Sequence, residues 1–449
     1  MKIFDITSFG AIADGRTLNT RSIQEAANAC RQAGGGMLRV PAGTFLTGIF
    51  ELFSGTTLLV EKDGRLLASP RLDDHNVEGA SVGLLYARDA HDLILTGEGT
   101  LDGNAPAFFD EGRLNGGEED FSGCDTWQKR HGLPYGTREL KHGPLGAKGR
   151  PGNMLVLARC ANVRIEKLTL TGSSYWTLHC ADCEDVAIEH LRIDHDRRHA
   201  NNDGIHLTTC RRVGIRHCRI SSGDDAIAVT GFREPGGEAQ IAFGLTGRAG
   251  VCEDIEISDC SLSSRSAAVR IGYGHNPVRH VRLNRLEIRE SNRGIGIFAR
   301  QAGVEDVVVE NCRIETSLFH GNWWGRAEPI HLSAVRFPGE PGLFSIRKIV
   351  FRDIDAMGEN AVVLFAEEPG AIEEVELVRV KMTLRRGDLF GAWGGNLDLR
   401  PGHPQLLAGG TAPLWAIGVS RLDCEDCQWK LEEKATDDFS AQPVIRERP

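Results

Sequence analysis

The chain has no apolar run long enough to cross a membrane. The longest, such as Met154-Leu-Val-Leu-Ala158, are strand-sized, against the ~20 residues a spanning helix needs. It also has no block of lysine or arginine, and 52 basic residues stand against 62 acidic ones for a formal net charge of -10. Nucleic-acid recognition needs a basic stripe, so neither a nucleic-acid nor a membrane partner is expected. The opening Met1-Lys-Ile-Phe-Asp-Ile-Thr-Ser-Phe-Gly10 carries Asp5 and no apolar core of the secretory type, and the chain reads as cytoplasmic. Aromatics are scarce at 6% while glycines number 53, which points to many turns. A hydrophobic content of 41% with 25% charged residues excludes wholesale disorder.

The twelve cysteines follow a pattern. Cys160, Cys183, Cys210 and Cys252 each precede a branched residue by three positions: Val163, Val186, Val213 and Ile255. Cys218, Cys260 and Cys312 each stand two before an apolar residue, in His-Cys-Arg-Ile220, Asp-Cys-Ser-Leu262 and Asn-Cys-Arg-Ile314. Cysteine recurring at one repeat position acts as a small buried hydrophobe. The C-x-x-C pairs Cys180/Cys183 and Cys424/Cys427 have no nearby partner pair, so free buried thiols are expected rather than zinc, as suits a reducing compartment.

The cysteines trace an internal repeat. Val163-Arg-Ile-Glu-Lys-Leu-Thr-Leu170, Val186-Ala-Ile-Glu-His-Leu-Arg-Ile193 and Val213-Gly-Ile-Arg-His-Cys-Arg-Ile220 share a frame with segments starting at Ile255, Val281 and Val307. Ile346–Phe351 and Val375–Val380 are looser copies. Each has an alternating strand, two polar residues and a second short strand. Most spacings are about 23–29 residues and two are near 40, where a loop is inserted. Leucine-rich repeats would need helices and a regular leucine frame, and propeller blades ~40–45 residues. A unit of two or three short strands in this period is one coil of a parallel β-helix, whose inward residues stack as ladders. The whole chain, 1–449, is read as one such all-β domain. Its first coil would leave an open edge, and the helix-like segment 19–33, with Ile23, Ala26, Ala27 and Cys30 on one face and Gly34-Gly-Gly36 as the stop, is the expected cap.

Two stretches leave the repeat. Residues 104–150 hold Trp127, His131, Tyr135, His142 and Arg150, and residues 316–342 hold Trp323-Trp-Gly325 and Glu328-Pro-Ile-His331. Long loops on a solenoid tend to sit on its binding face. The most pointed chemistry lies between repeats. His199-Ala-Asn-Asn-Asp-Gly-Ile-His206 precedes Ser221-Ser-Gly-Asp-Asp-Ala-Ile227 by about one coil. Asp203 then shares a patch of wall with Asp224 and Asp225, on rungs ~4.8 Å apart. Carboxylates that close raise one another's pKa, so one can stay protonated while another acts as base, as glycosidic hydrolysis requires.

With these motifs in place the chain resembles glycoside hydrolase family 28, the polygalacturonases and their relatives. The likeness rests on Phe9-Gly-Ala-Ile-Ala-Asp-Gly15, Gly34-Gly-Gly36, Val40-Pro-Ala-Gly-Thr-Phe-Leu-Thr-Gly48, Ser173-Ser-Tyr-Trp-Thr-Leu-His179, Asn201-Asn-Asp-Gly204 and Gly223-Asp-Asp225, and covers roughly residues 3–315. It implies a right-handed parallel β-helix and an inverting mechanism. Asp224 would be the general acid, and Asp203 with Asp225 would hold and activate the water.

Two family motifs depart. The histidine of the third falls on about Ala267 in Ser263-Ser-Arg-Ser-Ala-Ala-Val-Arg-Ile-Gly272, and the Arg-x-Lys that grips a uronate carboxylate falls on Gly296 and Phe298. Arg270, Arg293 or Arg300 is a candidate replacement; equally, the substrate need not be a uronate. Asn201 and His206 flank Asp203 as further substrate-binding candidates. Trp323 and Trp324 offer faces for sugar rings, with Glu328 and His331 beside them for hydroxyls. Ala392–Pro401 is a polar turn without an assigned role. The expected function is inverting, exo-acting hydrolysis of pectin-derived or related oligosaccharides, without metal or cofactor. The alternatives are a polysaccharide lyase or epimerase on the same fold, or a non-catalytic carbohydrate-binding β-helix.

Overall fold

The computed structural model describes residues 1–115, 139–232, 249–321, 323–336, 342–390, 396–399, 406–408, 412–435 and 439–446. Three short strands make one coil. Ala161–Glu166, Thr169–Thr171 and Leu178–Ala181 form one; Glu184–Glu189, Arg192–Asp194 and Ile205–Thr208 the next; Arg211–Arg216, Arg219–Ser222 and Ile227–Thr230 the third. All successive pairings between these coils are parallel. Among the described residues, the third strands align into a twelve-stranded sheet and the first two join a longer one. The architecture is a right-handed parallel β-helix.

The register follows the repeat frame. Leu93, Val163, Val186, Val213, Ile255, Val281, Val307, Ile349 and Val375 are consecutive partners in one ladder. Every one of them is buried. Inward positions alternate with exposed polar ones because strand side chains alternate sides. Each buried branched residue contributes roughly 1.5–3 kcal/mol relative to exposure.

The coil must bend at its corners, and the same positions bend each time. Lys167, His190, His217, Asp259 and Arg285 adopt left-handed backbone between the first and second strands, and Asn311, Asp353 and Arg379 do so at the equivalent place within the continuous strands Val304–Thr316, Ile346–Gly358 and Ile372–Leu384. Non-glycine residues seldom do so, so the repetition marks a required corner. The residue just after the corner is apolar and buried, for example Leu168, Leu191, Cys218, Cys260 and Cys312. Among the described residues, eight cysteines are buried in this way or within neighbouring ladders and Cys30 is buried on the capping helix, whereas Cys424 is exposed and Cys427 half-buried. That last pair departs from the expectation of buried thiols because it lies on Leu422–Glu425 and the turn after it, which pair with Ile372–Leu384 near the chain's end.

The cap is a helix, Thr20–Gln32, burying Ile23, Ala26, Ala27 and Cys30. Asn19 precedes it but makes no side-chain capping bond. Its amide instead ties loops together, accepting from the Ile12 N–H and donating to Leu46 O. Gly35 closes the helix in left-handed backbone, and a β-carbon there would come 2.6 Å from the Gly55 carbonyl oxygen. No helix among the described residues is long and apolar enough to cross a membrane.

Candidate active site

The twelve-stranded sheet carries the site. Its inward side chains, such as Ile205, Leu207, Ile227 and Val229, belong to the core. Its outward column runs His179, His206, Ala228, Arg270, Gly296, His331 by direct pairing. Ile205 pairs with Ile227, so Asp203 and Asp225 occupy equivalent places just before their strands, one rung apart.

Two turns present the carboxylates, and side chains lock them together. Asn202 is fully buried, and its Oδ1 accepts from the Gly223 N–H at 2.6 Å. Gly223 must be glycine: a β-carbon there would lie 2.0 Å from the His199 carbonyl oxygen. The next coil closes over the Asp224 turn. Ser264 Oγ donates to Asp224 O at 2.6 Å, Ser266 Oγ donates to Asp225 Oδ1 at 2.8 Å, and the Ala267 N–H donates to the same oxygen at 3.0 Å.

Asp203, Asp224 and Asp225 are 2%, 7% and 3% exposed, so the carboxylates meet in a nearly closed patch. Arg270 orders them. Its Nε donates to Asp225 Oδ2, and its Nη2 stands 3.9 Å from Asp203 Oδ2. Burial works against the charge of Arg270, but Asp225 and Asp203 more than offset it and the guanidinium is held charged. Asp224 receives weaker partners: Asn201 Nδ2 at 3.4 Å and the Asp225 N–H at 2.8 Å. Burial, then the charge of Asp225, pushes the Asp224 carboxyl well above the ordinary carboxylate range. Burial and the charges of Asp224 and Asp225 push Asp203 upward too, with Arg270 pulling the other way. Arg270 acts on Asp224 too, but more weakly than burial and Asp225; a single proton relieves the crowding, and Asp224 is the carboxyl of the three without a guanidinium within 4.0 Å among the described residues.

His206 is fully buried with Nδ1 bonded to Asp203 Oδ2 at 2.9 Å and Nε2 to Thr230 Oγ1 at 3.2 Å. Burial first, then Arg270 and His179, hold this imidazole neutral. Trp176 stacks on it at 3.6 Å. His206 therefore orients Asp203. Asn201 is fixed from the other side by Arg150, whose Nη2 donates to its Oδ1 at 2.8 Å.

The remaining candidates separate from this group. Arg293, Glu328 and His331 form a second buried cluster further along the sheet, with Arg293 3.5 Å and His331 3.7 Å from the Glu328 carboxylate. Glu328 also accepts from the Arg326 N–H at 2.7 Å. Arg300 lies 5.9 Å from the centre of the Tyr273 ring, and Arg270 4.8 Å from it. Trp323 is 3% exposed, and its indole N–H donates to His142 O at 3.1 Å; Trp324 is half-buried and its carbonyl accepts from Asn292 Nδ2. The His142–Trp323 bond and a His142–His320 stack at 4.5 Å bring the two long loops together. Trp127, His131 and Tyr135 lie outside the described residues, as do all but 396–399 of the Ala392–Pro401 turn.

A sequence profile of the Glycosyl hydrolases family 28 matches residues 139–311, the stretch that builds the carboxylate site. Over this stretch the chain is similar to the family and diverges from it in detail. A probable polygalacturonase of Vitis vinifera is 28% identical over 365 residues, 75% of this chain and 66% of the relative. An exopolygalacturonase of Zea mays is 28% identical over 285 residues, 60% of this chain and 61% of the relative. The matches thus span just under two thirds of those relatives' length. The fold is shared with a hyperthermoactive exopolygalacturonase from Thermotoga maritima at a TM-score of 0.60 and 23% identity, covering 85% of this chain and 87% of the other.

Divergence from family 28 has a structural counterpart. At Gly296 a β-carbon would come 2.7 Å from the Phe298 ring. That ring fills the space a long basic side chain would need, and Phe298 itself is 1% exposed. The residues that sequence reasoning passed over are Asn202, Ser266, Thr230 and Trp176 as supports. Trp176 and Asn202 lay inside segments already similar to the family; Ser266 and Thr230 bear no pattern a sequence displays, since their partners are a coil away.

Proposed function

We propose that this chain is an inverting, exo-acting glycoside hydrolase of pectin-derived oligosaccharides. One observation carries the reading: of three buried carboxylates on adjacent rungs, Arg270 stands within 4.0 Å of Asp225 and Asp203 but not of Asp224. In this mechanism Asp224 enters protonated and gives its proton to the glycosidic oxygen as the bond breaks. Asp225 and Asp203 hold a water on the opposite face of the sugar and take its proton as it attacks the anomeric carbon. His206, neutral and bonded to Asp203, keeps that carboxylate in place, and Arg270 holds Asp225 and pulls against the rise at Asp203.

The exo mode is supported by enclosure. The Asp224 acid is 7% exposed, and the two long loops meet at His142 and Trp323, which suits a chain end better than the middle of a polymer. A screen of pectic and other plant oligosaccharides with product analysis tests the reading. Saturated single sugars released from chain ends are expected. An unsaturated, ultraviolet-absorbing product would make the protein a lyase, and glycan binding without turnover by wild-type protein would make it a binding solenoid.

A further inference from the structure

Arg270 and Arg293 are committed to internal carboxylates, Asp225 and Glu328, and Phe298 occupies the place of the family's basic grip. A different cationic feature stands beside the site. Arg265 lies between Ser264 and Ser266, the two serines bonded to the Asp224–Asp225 turn, and its N–H donates to Ser222 O at 3.2 Å. Its side chain is half-buried and rests on the Phe319 ring, 3.8 Å from the ring centre. Arg197 approaches the same ring at 5.4 Å.

Two guanidiniums thus share one aromatic ring with little counter-charge. Glu290 pairs with Arg197 at 3.1 Å, and its side chain is 77% exposed. Among the described residues the Arg265 guanidinium has no carboxylate within 4.0 Å and no hydrogen-bond acceptor, and its Nε is buried without a partner. Its charged neighbours are Arg197, of its own sign, and the exposed Glu290, which attracts it from beyond ion-pair distance while paired with Arg197. Burial first, then Arg197, pushes the Arg265 guanidinium down to about 9. A cation kept half-buried beside a like charge is unfavourable unless an anion joins it.

We propose that Arg265 and Arg197, held on Phe319 at the rim of the carboxylate site, form a subsite for a substrate carboxylate. This rests on the hydrolase reading for the substrate class, a uronate-bearing oligosaccharide, and supplies the grip lost at Gly296 and Phe298. The Arg265 fork offers two parallel N–H donors to a carboxylate, and Phe319 holds its plane in one orientation. A methyl ester presents the same shape without the charge.

The test uses the full chain carrying Asp224→Asn, so that ligand survives, with calorimetric titration of an oligogalacturonate and of its methyl ester. The free acid is expected to bind roughly 10- to 100-fold tighter than the ester, the range of one charge-assisted pair. Adding Arg265→Gln should abolish that preference and leave ester binding within about twofold. Arg265→Lys, which keeps charge but not the fork, should retain part of it; this variant decides the matter if the glutamine variant fails to fold. Equal weakening of acid and ester, no weakening of either, or no binding of either by the Asp224→Asn protein each overturns the subsite. If wild-type protein binds the acid through Arg265 yet cleaves no glycan, the hydrolase reading falls and the subsite stands.

Discussion

Replacing Arg270 by glutamine removes the guanidinium that contacts Asp225 and stands 3.9 Å from Asp203. Its side chain is 12% exposed, so water screens the interaction weakly. Two unit charges at this distance attract by about 4 kcal/mol at an effective dielectric near 20. At ~1.4 kcal/mol per tenfold, full loss would approach three powers of ten. Water entering the vacated space returns part of that, and kcat/KM should fall by ~10²–10³. The pH profile separates this role from a merely structural one. Without the cation Asp203 loses the charge that pulls its carboxyl downward, so the acidic limb of the kcat/KM profile should move upward. Arg270→Lys should recover a fraction, because a single ammonium cannot both bond Asp225 and present a second nitrogen toward Asp203 as the fork does. Stability should fall as well, by ~3–5 kcal/mol near neutrality, the cost of stranding buried charge, and by less in acid, where protonated carboxyls need no partner. Urea denaturation at two pH values and initial rates across the pH range measure both effects. A folded Arg270→Gln protein with wild-type kcat/KM and an unmoved acidic limb would refute the reasoning.

Three other outcomes are expected. Asp224→Asn should fold and lose at least ~10² in kcat; wild-type turnover in the folded variant would remove Asp224 from the mechanism. Because the folded state raises the Asp224 carboxyl, its stabilising contribution is full below ~4, the unfolded carboxyl's range, and is lost as pH rises through the folded value. Asparagine does not titrate, so Asp224→Asn should gain stability relative to wild type from about pH 4 toward neutrality, as paired thermal melts would show. Gly223→Ala places a β-carbon 2.0 Å from the His199 carbonyl, so it should cost ~1–3 kcal/mol and displace Asp224. Near-wild-type stability and rate in this variant would mean that the turn is not so constrained. Proton NMR of the first-formed product, taken before mutarotation, should show the inverted anomer, and retention would sink the water-activating role of Asp203 and Asp225.

Much of this protein is written locally. The ladders from Val163 to Val375 are legible because a half-buried strand must alternate, and each coil repeats the alternation at one position. The capping helix over 20–32 is legible from the spacing of Ile23, Ala26, Ala27 and Cys30. Asp203, Asp224 and Asp225 are legible as a group because one coil of sequence is one rung of structure, so sequence distance converts directly into proximity. What only the tertiary structure decided lies across coils and on the outward face, where side chains follow no period. Arg270, Arg293 and Arg300 look alike in sequence, yet the fold puts Arg270 on Asp225, Arg293 on Glu328 and Arg300 beside Tyr273. Trp323 reads as a sugar platform until its ring is found buried with its N–H on His142 O. Arg265 carries no local signal, and its lack of a carboxylate at ion-pair distance emerges once residues 197, 290 and 319 are folded around it. Repetition encodes the scaffold because neighbouring coils see the same environment. The site's charge balance is set by pairings between residues tens of positions apart, and a charge's partner is fixed by distance in space alone.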